Sequence, residues 1–489
     1  MFLSFVDRSL LFRLLEGSAA DARQVERLLD TRAIPDGTPC FLDEVSMLPV
    51  EPLCSWFRHL AYENKSAKTL REYAYIVRRY VGFLESRGRS FRDATESDLA
   101  AYRMFRTQLQ DRPVGEAMWA KEAQLLNQLH RWLEQSGYTG VNPVRQARNG
   151  RSALAPRVVQ GMNIRHMSLA QYRFFRDIGL AGQLPDSRID TTFRGRSSLR
   201  ARAACDLALS TGMRPQEWST LLLPELGEGE RRPGTPAVFE VQACAKYGKR
   251  REVFVPTGAV DSVANFVELE RPELAAASAA ALERRRDELF VIDRIDGAIG
   301  RCHGVLRGRR RAFTLSAMSP QLRRIAVRDT HDGLEALAVF IGHGGQMIGP
   351  SNWYRIRCEA WDRMRRHSGE TDMPPLPPRR WRWHDLRHTF ALQLLSFLEQ
   401  QLDGEAPDAV TRRRRHVAYL GGHIKHNPLL IVSRRLGHAS PATTYAYLEY
   451  TDDPMNAVDA AFREWTVEDG DTYADIARHM LASSAGRGR

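Results

Sequence analysis

The segment 50–143 carries a long helical spacing of apolar residues, which constrains the fold of this chain more than any other feature. Apolar residues recur there at intervals of three and four, as on one face of a helix: Leu70, Tyr73, Val77, Tyr80, Val81 and Leu84. Ser66 or Thr69 can cap the start of this helix, and Gly88 can end it. A second helix, from about 119 to 135, repeats the pattern. The spacing therefore predicts a helical bundle.

Basic residues lie largely off the apolar face of the first helix: Lys65, Lys68, Arg71, Arg78 and Arg79. The whole chain has a formal net charge of +12 and a pI near 9.6. An excess of Lys and Arg favours a polyanionic partner, because these residues neutralise phosphates and raise encounter rates. We interpret the basic face as a candidate DNA-binding surface. The solvated face of a plain helical bundle is the alternative interpretation.

Two short segments in the last quarter of the chain concentrate basic and aromatic residues. They are His384-Asp385-Leu386-Arg387-His388 and Leu436-Gly437-His438, the latter followed by Tyr447. Upstream, the segment 211–217 supplies a second arginine, Arg214. Guanidinium groups offer paired donors to phosphate oxygens and keep their proton, while a phenol can attack phosphorus as a nucleophile. These residue types predict chemistry on a DNA backbone.

Two strand-like runs, 238–243 and 252–255, flank the sequence Lys246-Tyr247-Gly248-Lys249. This pattern predicts a β-hairpin with Lys246 at its tip or shoulder. Only six of the 71 basic residues are lysine. A lysine can give up a proton at neutral pH where an arginine cannot. We therefore consider Lys246 the candidate proton donor, with Lys249 as its rival and as a candidate DNA-binding residue.

In their order and internal spacing, these motifs resemble the tyrosine recombinase family, also called phage integrases. Tyr447 lies nine positions after His438, the interval of that family, and Thr443 and Thr444 lie where the family has paired threonines. Tyr445 and Tyr450 do not fit this interval. The resemblance spans roughly 50–455. It implies a mainly α fold with a small antiparallel β-sheet (α+β), built from a helical core-binding domain and a tyrosine-recombinase catalytic domain.

The resemblance also implies a role for each site residue. Arg214 and Arg387 would hold the phosphate, Tyr447 would attack it, and Lys246 would protonate the leaving 5′-oxygen. His384 and His438 would accept or relay the phenol proton. Spacing alone suggests two supporting residues: Glu217, three positions after Arg214, either orients that arginine or is a surface helix acid, and His388 braces the His-x-x-Arg-His segment through hydrogen bonds. The energy of the broken linkage would be kept in the phosphotyrosyl bond, so neither ATP nor another cofactor is implied.

The predicted organisation has five parts. They are an N-terminal extension (1–49, partly helical), a helical core-binding SAM-like domain (50–143), a basic linker (144–165), the catalytic domain (166–455) with insertions near 265–345 and 396–428, and a C-terminal tail (456–489). Six apolar residues near the N-terminus have helical spacing and predict an amphipathic helix: Phe2, Phe5, Val6, Leu10, Leu14 and Leu15. Exchange of the tail between protomers is a further expectation from the family.

Other chemistries are less well supported. His384 and His388 have the spacing of a helical zinc site, but Arg387 between them would place a permanent charge beside the metal, and the Glu of His-Glu-x-x-His is absent. The six cysteines form no C-x-x-C pair. No stretch approaches the roughly 18 apolar residues of a membrane helix. We expect a metal-free cytoplasmic protein of a bacterial nucleoid.

Together with these motifs, the resemblance implies a site-specific recombinase that cleaves and rejoins duplex DNA through a 3′-phosphotyrosyl intermediate. The partners that the resemblance implies are double-stranded DNA, a second protomer on one site, a homo-tetramer on two duplexes, and an accessory directionality protein or partner recombinase. Integration, excision or transposition of a mobile element is the expected role. Two alternatives remain open: a relaxing topoisomerase of the same chemistry, and a catalytically inactive architectural or regulatory DNA-binding protein.

Overall fold

The structure is a computed structural model of the chain. It describes residues 1–8, 22–63, 65–146, 152, 154–155, 164–193, 195, 197–227, 235–297, 300–370, 372–404, 428–438, 442–445 and 447. The chain forms two compact units, 1–161 and 162–489, and the division falls within the predicted linker 144–165. The predicted C-terminal tail, 456–489, and residues 405–427 of the predicted 396–428 insertion lie outside the described residues.

The first unit is mainly helical. A two-stranded antiparallel sheet pairs β1 (Phe2–Phe5) with β2 (Pro39–Leu42). The helices are α1 (Ala22–Thr31), α2 (Glu51–Tyr62), α3 (Ala67–Glu85), α4 (Glu96–Met104), which continues into a π-helical turn (Phe105–Leu109), and α5 (Glu116–Gln135). Helices α2 to α5 share one apolar core.

Helix α3 follows the sequence prediction closely. The Ser66 hydroxyl accepts a hydrogen bond from the Thr69 amide over 3.1 Å, which satisfies one of the free N–H groups of the first turn. The predicted apolar residues are buried, apart from Tyr73, which is partly buried against the same core. Gly88 follows the helix with φ +68°, a conformation that glycine adopts without strain. The predicted helical bundle is confirmed in this segment.

The predicted N-terminal helix is wrong over residues 2–5, which form strand β1. Leu3 and Phe5 alternate with more exposed neighbours, and four residues fit a period of two as well as a period of 3.6. Strand β2 decides between them, because it supplies backbone partners. The remainder of this prediction, residues 9–21, lies outside the described residues. Helix α1 makes the N-terminal extension partly helical.

The second unit contains the remaining elements. Its helices are α6 (Leu169–Arg173), which continues into a π-helical segment (Phe174–Leu180), α7 (Ser198–Thr211), α8 (Pro215–Trp218), α9 (Thr257–Leu269), α10 (Arg271–Ala276), α11 (Ala279–Glu283), α12 (Pro320–Arg324), α13 (Pro350–His367), α14 (Trp383–Gly404), α15 (Pro428–Leu436) and α16 (Ala442–Tyr445). Its strands are β3 (Ala237–Val241), β4 (Arg251–Val255), β5 (Phe290–Asp296), β6 (Arg301–Leu306), β7 (Arg309–Thr314), β8 (Ala326–Thr330) and β9 (Gly333–Ala336).

Two sheets lie in this unit. Strands β3 and β4 form an antiparallel hairpin, with Val241 opposite Arg251. The other sheet has five strands in the order β7-β6-β5-β8-β9, and its β5–β8 pair is parallel. This larger sheet is built from the predicted insertion 265–345. The mainly α fold with small sheets is confirmed, and the insertion contributes a five-stranded sheet that is antiparallel apart from the β5–β8 pair.

A cluster of tryptophans fixes the elements that carry the site. The ring centroid of Trp218 lies 4.8 Å from that of Trp353 and 5.1 Å from that of Trp383. The indole N–H of Trp383 donates to the Trp353 carbonyl over 2.9 Å. These contacts hold the start of α14 against α8 and α13. The first residues of α14 and the residue before α8, which include His384 and Arg214, are thereby brought into one region.

All six cysteines are free thiols in this structure. Among the helices of the described ranges, none has both the length and the apolar character needed to cross a lipid bilayer.

Candidate active site

Arg214 is positioned by a tight turn between α7 and α8. Gly212 ends α7 with φ +60°, and a Cβ atom at this residue would lie 2.2 Å from the ring of Phe390 on α14. Only glycine fits here, since any side chain would meet the ring in a backbone conformation that L residues rarely adopt. The turn therefore lets α14 approach closely and delivers Arg214 to the N-terminus of α8.

Glu217 is a buried carboxylate that holds two arginines. It accepts hydrogen bonds from the Arg214 backbone amide over 2.8 Å and from the Arg214 guanidinium over 3.2 Å. The Arg251 guanidinium donates two more, over 3.1 and 2.6 Å. Burial acts to raise the pKa of Glu217, but the hydrogen bonds and charge of Arg251, with the charge of Arg214, outweigh it and lower the pKa below its ordinary value. Glu217 thus contacts Arg214 directly, and its orienting role stays a prediction.

Arg387 on α14 is 2% exposed. Its guanidinium donates to the Gly212 carbonyl over 2.6 Å and to the Leu436 carbonyl over 2.5 Å. The Leu436 carbonyl also lies 3.5 Å from the Arg214 guanidinium, so the two arginines converge on the end of α15. Burial, and then the charge of Arg214, lower the pKa of Arg387 to about 9. Two cations held this close favour an anion between them.

Tyr447 lies in the same buried cluster and is 1% exposed. Its hydroxyl oxygen is 3.0 Å from Nδ1 of His388. Its backbone amide donates to the Thr444 carbonyl over 3.0 Å, and the Thr444 hydroxyl lies 2.8 Å from Nδ1 of His438. The rings of His438 and Tyr447 are nearly parallel, with centroids 6.3 Å apart. Burial raises the pKa of Tyr447 to about 12, against the opposing charges of nearby arginines.

Three histidines surround these groups, and burial is the main cause of each shift in their pKa. Burial and the charge of Arg387 lower the pKa of His384 to about 4. Burial and the neighbouring His384 ring, 4.8 Å away, lower the pKa of His388 to about 3. Burial and Arg387 lower the pKa of His438 to about 3. All three are neutral at pH 7 and so have a free nitrogen lone pair.

The two candidate lysines lie in the loop 242–250 between β3 and β4. Lys246 is exposed, and its ammonium lies 4.9 Å from the centroid of the Tyr247 ring. Lys249 reaches the site directly, because its ammonium donates to the carbonyl of His438. The predicted hairpin is present, and it is Lys249 that contacts the other site residues in this conformation.

Arg251 is the site residue that sequence reasoning missed. Its side chain is 7% exposed and pairs with Glu217. A Cβ atom at Gly437, whose φ is +65°, would lie 2.9 Å from Cδ of Arg251, so the Leu-Gly-His turn closes directly onto this arginine. The available signal was its position at the start of β4, two residues after Lys249, which a chain rich in arginine conceals.

Two neighbouring contacts brace α14. Arg165 forms an ion pair with the buried Asp385 over 2.7 Å, and the Met167 amide donates to the Thr389 hydroxyl over 3.0 Å. Within the described ranges, no three His, Cys, Asp or Glu side chains group closely enough to hold a metal ion. Of the rival tyrosines, Tyr450 lies outside the described residues, as does the side chain of Tyr445.

The candidate DNA-binding residues of the first unit lie along α3. Lys68, Arg71, Arg78 and Arg79 are exposed and Lys65 is partly exposed. The Arg79 guanidinium lies 3.4 Å from the fully buried Glu122, which also binds Arg106 over 2.8 Å. The guanidinium of Arg71 lies 4.5 Å from the centroid of the Phe5 ring. The helix therefore presents a basic face. Arg79 and Arg71 on this face already contact other side chains of the protein.

Residues 53–137 match the family model of the phage integrase N-terminal SAM-like domain. No curated protein matches the chain.

Solved structures similar to the chain are distant. The XerH site-specific recombinase bound to difH substrate, in a pre-cleavage complex, shares 13% identity over 92% of each chain, with a TM-score of 0.43. The Tn1549 transposon integrase in complex with circular intermediate DNA shares 11% identity over 91% of this chain and 95% of that one, with a TM-score of 0.37. An integrase from mycobacterium phage Brujita shares 12% identity over 81% of this chain and 98% of that one, with a TM-score of 0.19.

A phage integrase SAM-like domain is thus followed along the chain by the arginine, His-x-x-Arg-His, Leu-Gly-His and tyrosine motifs. The matched segment, 53–137, covers most of the predicted core-binding domain 50–143.

Proposed function

We propose that the protein is a site-specific recombinase that cleaves and rejoins duplex DNA through a 3′-phosphotyrosyl intermediate. One observation carries the proposal: the Tyr447 hydroxyl, the Arg387 guanidinium and the ring of His438 share one buried cluster, at the end of the helix whose last carbonyl also meets Arg214. A phenol beside two guanidinium groups suits attack on a phosphodiester, since these cations stabilise the charge that develops on the nonbridging oxygens.

In the proposed reaction, each bond that breaks is matched by a bond that forms. The Tyr447 oxygen forms a bond to phosphorus while the bond from phosphorus to the 5′-oxygen breaks. The phenol proton passes to a histidine, and a lysine gives a proton to the departing 5′-oxygen. Attack by a 5′-hydroxyl then reverses each step and releases Tyr447. No ATP enters this scheme, because the phosphodiester energy is kept in the enzyme–DNA bond.

Lys246 is proposed as the proton donor from its place in the hairpin motif. Its exposure on the loop leaves the ammonium free to meet a DNA strand. Lys249, which donates to the His438 carbonyl, is proposed to hold the loop against the Leu-Gly-His turn. The ring of His438 is held by the Thr444 hydroxyl, which lies 2.8 Å from its Nδ1.

The wider assignment extends the same proposal. Double-stranded DNA is the substrate, gripped in part by the basic face of α3, with two protomers on one site and four on two duplexes. Action in the cytoplasm on a mobile element, by integration, excision or transposition, is supported by the five-stranded sheet, which elaborates the catalytic domain beyond a minimal form. An accessory protein that sets direction belongs to this proposal.

Covalent trapping tests the function. Wild type and Tyr447→Phe are incubated with nicked duplexes that carry candidate element ends, and denaturant-resistant protein–DNA adducts are measured. We expect an adduct with wild type that is lost in the variant. If both proteins bind DNA and neither forms an adduct, an architectural protein is the better description. Relaxation of supercoils without a paired site would instead favour a topoisomerase.

A further inference from the structure

The phenol of Tyr447 has one side-chain hydrogen-bond partner among the residues that the structure describes. That partner is Nδ1 of His388, 3.0 Å from the hydroxyl oxygen. In the same part of the chain, Nδ1 of His438 is engaged by the Thr444 hydroxyl. The ring of His384 lies almost perpendicular to that of His388, at 84°, and meets the phenol through no hydrogen bond in the described ranges.

We propose that His388 is the catalytic residue that takes the proton of Tyr447 during cleavage and returns it during rejoining. This inference rests on the proposed function and replaces the bracing role predicted for His388 from the sequence. As the Tyr447 oxygen bonds to phosphorus, its proton moves to Nδ1 of His388, whose ring becomes an imidazolium. A lysine proton goes to the departing 5′-oxygen. In the rejoining step the imidazolium proton returns to the phenol oxygen, so His388 ends neutral.

The position of His388 suits this role because one helix carries both the phosphate ligand and the base. Arg387, the preceding residue on α14, directs its guanidinium to the Gly212 and Leu436 carbonyls. The Thr389 hydroxyl donates to the Asp385 carbonyl over 2.9 Å and ties down the same turn. These contacts fix the turn of α14 that carries Arg387 and His388, so the proposed phosphate ligand and the proposed base stay side by side.

The charges around His388 make proton transfer depend on the substrate. The groups that face it are His384, Arg387, Arg165 and His166, and each acts with burial to lower its pKa to about 3. With the pKa of Tyr447 raised to about 12, the proton stays on the phenol in the free protein. A bound phosphodiester adds negative charge beside the same groups, which raises the affinity of His388 for a proton. The nucleophile is thus activated by the phosphate that it attacks.

Two substitutions separate proton transfer from positioning. His388→Asn keeps a hydrogen-bond acceptor near the place of Nδ1 but is not a base, whereas His388→Ala removes both functions. We expect single-turnover cleavage to fall by about 100-fold or more in both variants, the usual scale for loss of a general base. His343→Asn on an exposed turn is the matched control and should cleave at the wild-type rate.

Fluorinated tyrosine at position 447 distinguishes proton transfer from a structural role, because only a loss of proton transfer can be compensated by a more acidic phenol. A more acidic phenol needs less help from a base, so we expect it to restore a large part of the cleavage rate in His388→Asn. Thermal melting and DNA binding of each variant are measured alongside. If His388→Asn is poorly folded, His388→Gln replaces it.

The outcomes are distinct. Cleavage by His388→Asn within about threefold of wild type, or a slow variant that fluorinated Tyr447 does not improve, would overturn the role of His388 and leave the proposed function intact. A wild-type protein that forms no Tyr447-dependent adduct would overturn both. A slow His388→Asn variant that regains activity with fluorinated Tyr447 supports the proposal.

Discussion

Arg251 donates two hydrogen bonds to Glu217, over 3.1 and 2.6 Å, and thereby ties the strand behind the lysine loop to the residue that orients Arg214. The side chains of this pair are 7% and 0% exposed. A carboxylate buried to this degree depends on its partners, because its charge has lost the solvation of water. The hairpin and Arg214, which is proposed to bind the phosphate, are therefore linked through one acid.

Removal of the Arg251 side chain should destabilise the folded protein. Arg251→Ala leaves Glu217 with half of its cationic partners, and we expect the free energy of unfolding to fall by about 3–5 kcal/mol, the scale for breaking a buried pair. Urea unfolding measures this loss. Arg250→Ala is the control: the neighbouring side chain is 73% exposed and pairs with Glu240 at the surface, so its loss should cost less than about 1 kcal/mol. Equal losses in the two variants would contradict the link.

The two lysines should be distinguishable by the leaving group. Lys246→Ala should slow cleavage of ordinary DNA by about 100-fold or more, because the 5′-oxygen leaves poorly without a proton. A substrate with sulfur in place of that bridging oxygen needs no proton and should restore the rate. Lys249→Ala should be affected equally on both substrates, since it loses a contact to His438 rather than the proton donor. The reverse pattern would assign the acid to Lys249.

Acid should destabilise the second unit through its buried histidines. The pKa of His384 lies at about 4 and that of His438 at about 3, both below the ordinary value of the unfolded chain. The unfolded state then binds more protons, so stability falls as the pH drops from about 7 towards 4. A buried histidine that stays neutral down to pH 4 lowers the free energy of unfolding at that pH by about 3 kcal/mol.

Urea midpoints measured between pH 7 and pH 4.5 check this dependence. His438→Asn should flatten the dependence relative to wild type. His130 in the first unit, whose burial lowers its pKa to about 4, acts in the same direction in both proteins. If the urea midpoint of His438→Asn falls with pH as steeply as that of wild type, His438 does not contribute to the acid destabilisation.

Cleavage should occur within one protomer. The Tyr447 hydroxyl lies 3.0 Å from His388 of the same chain, so each protomer holds its own nucleophile beside its own arginines. A mixture of Tyr447→Phe and Arg387→Ala protomers should therefore stay inactive, because neither chain has a complete site. Restored adduct formation in the mixture would mean that the tyrosine is delivered to a neighbour.

The exposed face of α3 should contribute to DNA affinity through phosphates. Lys68→Gln and Arg78→Gln should each reduce the slope of log affinity against log salt by about 1, with little change in site preference. Arg112→Gln removes the same charge from the exposed loop before α5 and serves as the control. Arg79 is a poorer probe because it also contacts the buried Glu122. Equal slopes for all the proteins would remove α3 from the interface.

Periodicity and local motifs predicted much of this architecture. Helix α3 has a complete apolar face and a Ser66 cap, so local sequence is enough to define it. Strand β1 could not be predicted, because the choice between helix and strand depends on the distant β2. The five-stranded sheet likewise depends on pairing between β5 and β8, which are separated by a hairpin and a short helix.

The candidate site was accessible to sequence reasoning wherever its chemistry is carried by a fixed interval. Tyr447 follows His438 by nine positions, and Glu217 follows Arg214 by three. Arg251 has no such interval, and its role depends on the closure of Gly437 against it in three dimensions. The contact between His388 and Tyr447 joins residues 59 positions apart, so only the fold reveals it.

The burial of Tyr447 affects how selectively the protein would cut DNA. A phenol that is 1% exposed cannot reach a phosphorus atom in this conformation, so strand breakage in the proposed reaction must begin with a rearrangement of the site. The free energy for that rearrangement has to come from contacts with the DNA. A duplex that provides only some of those contacts is held and released intact. Binding and cutting then have separate thresholds, and stray encounters with other DNA leave no break behind.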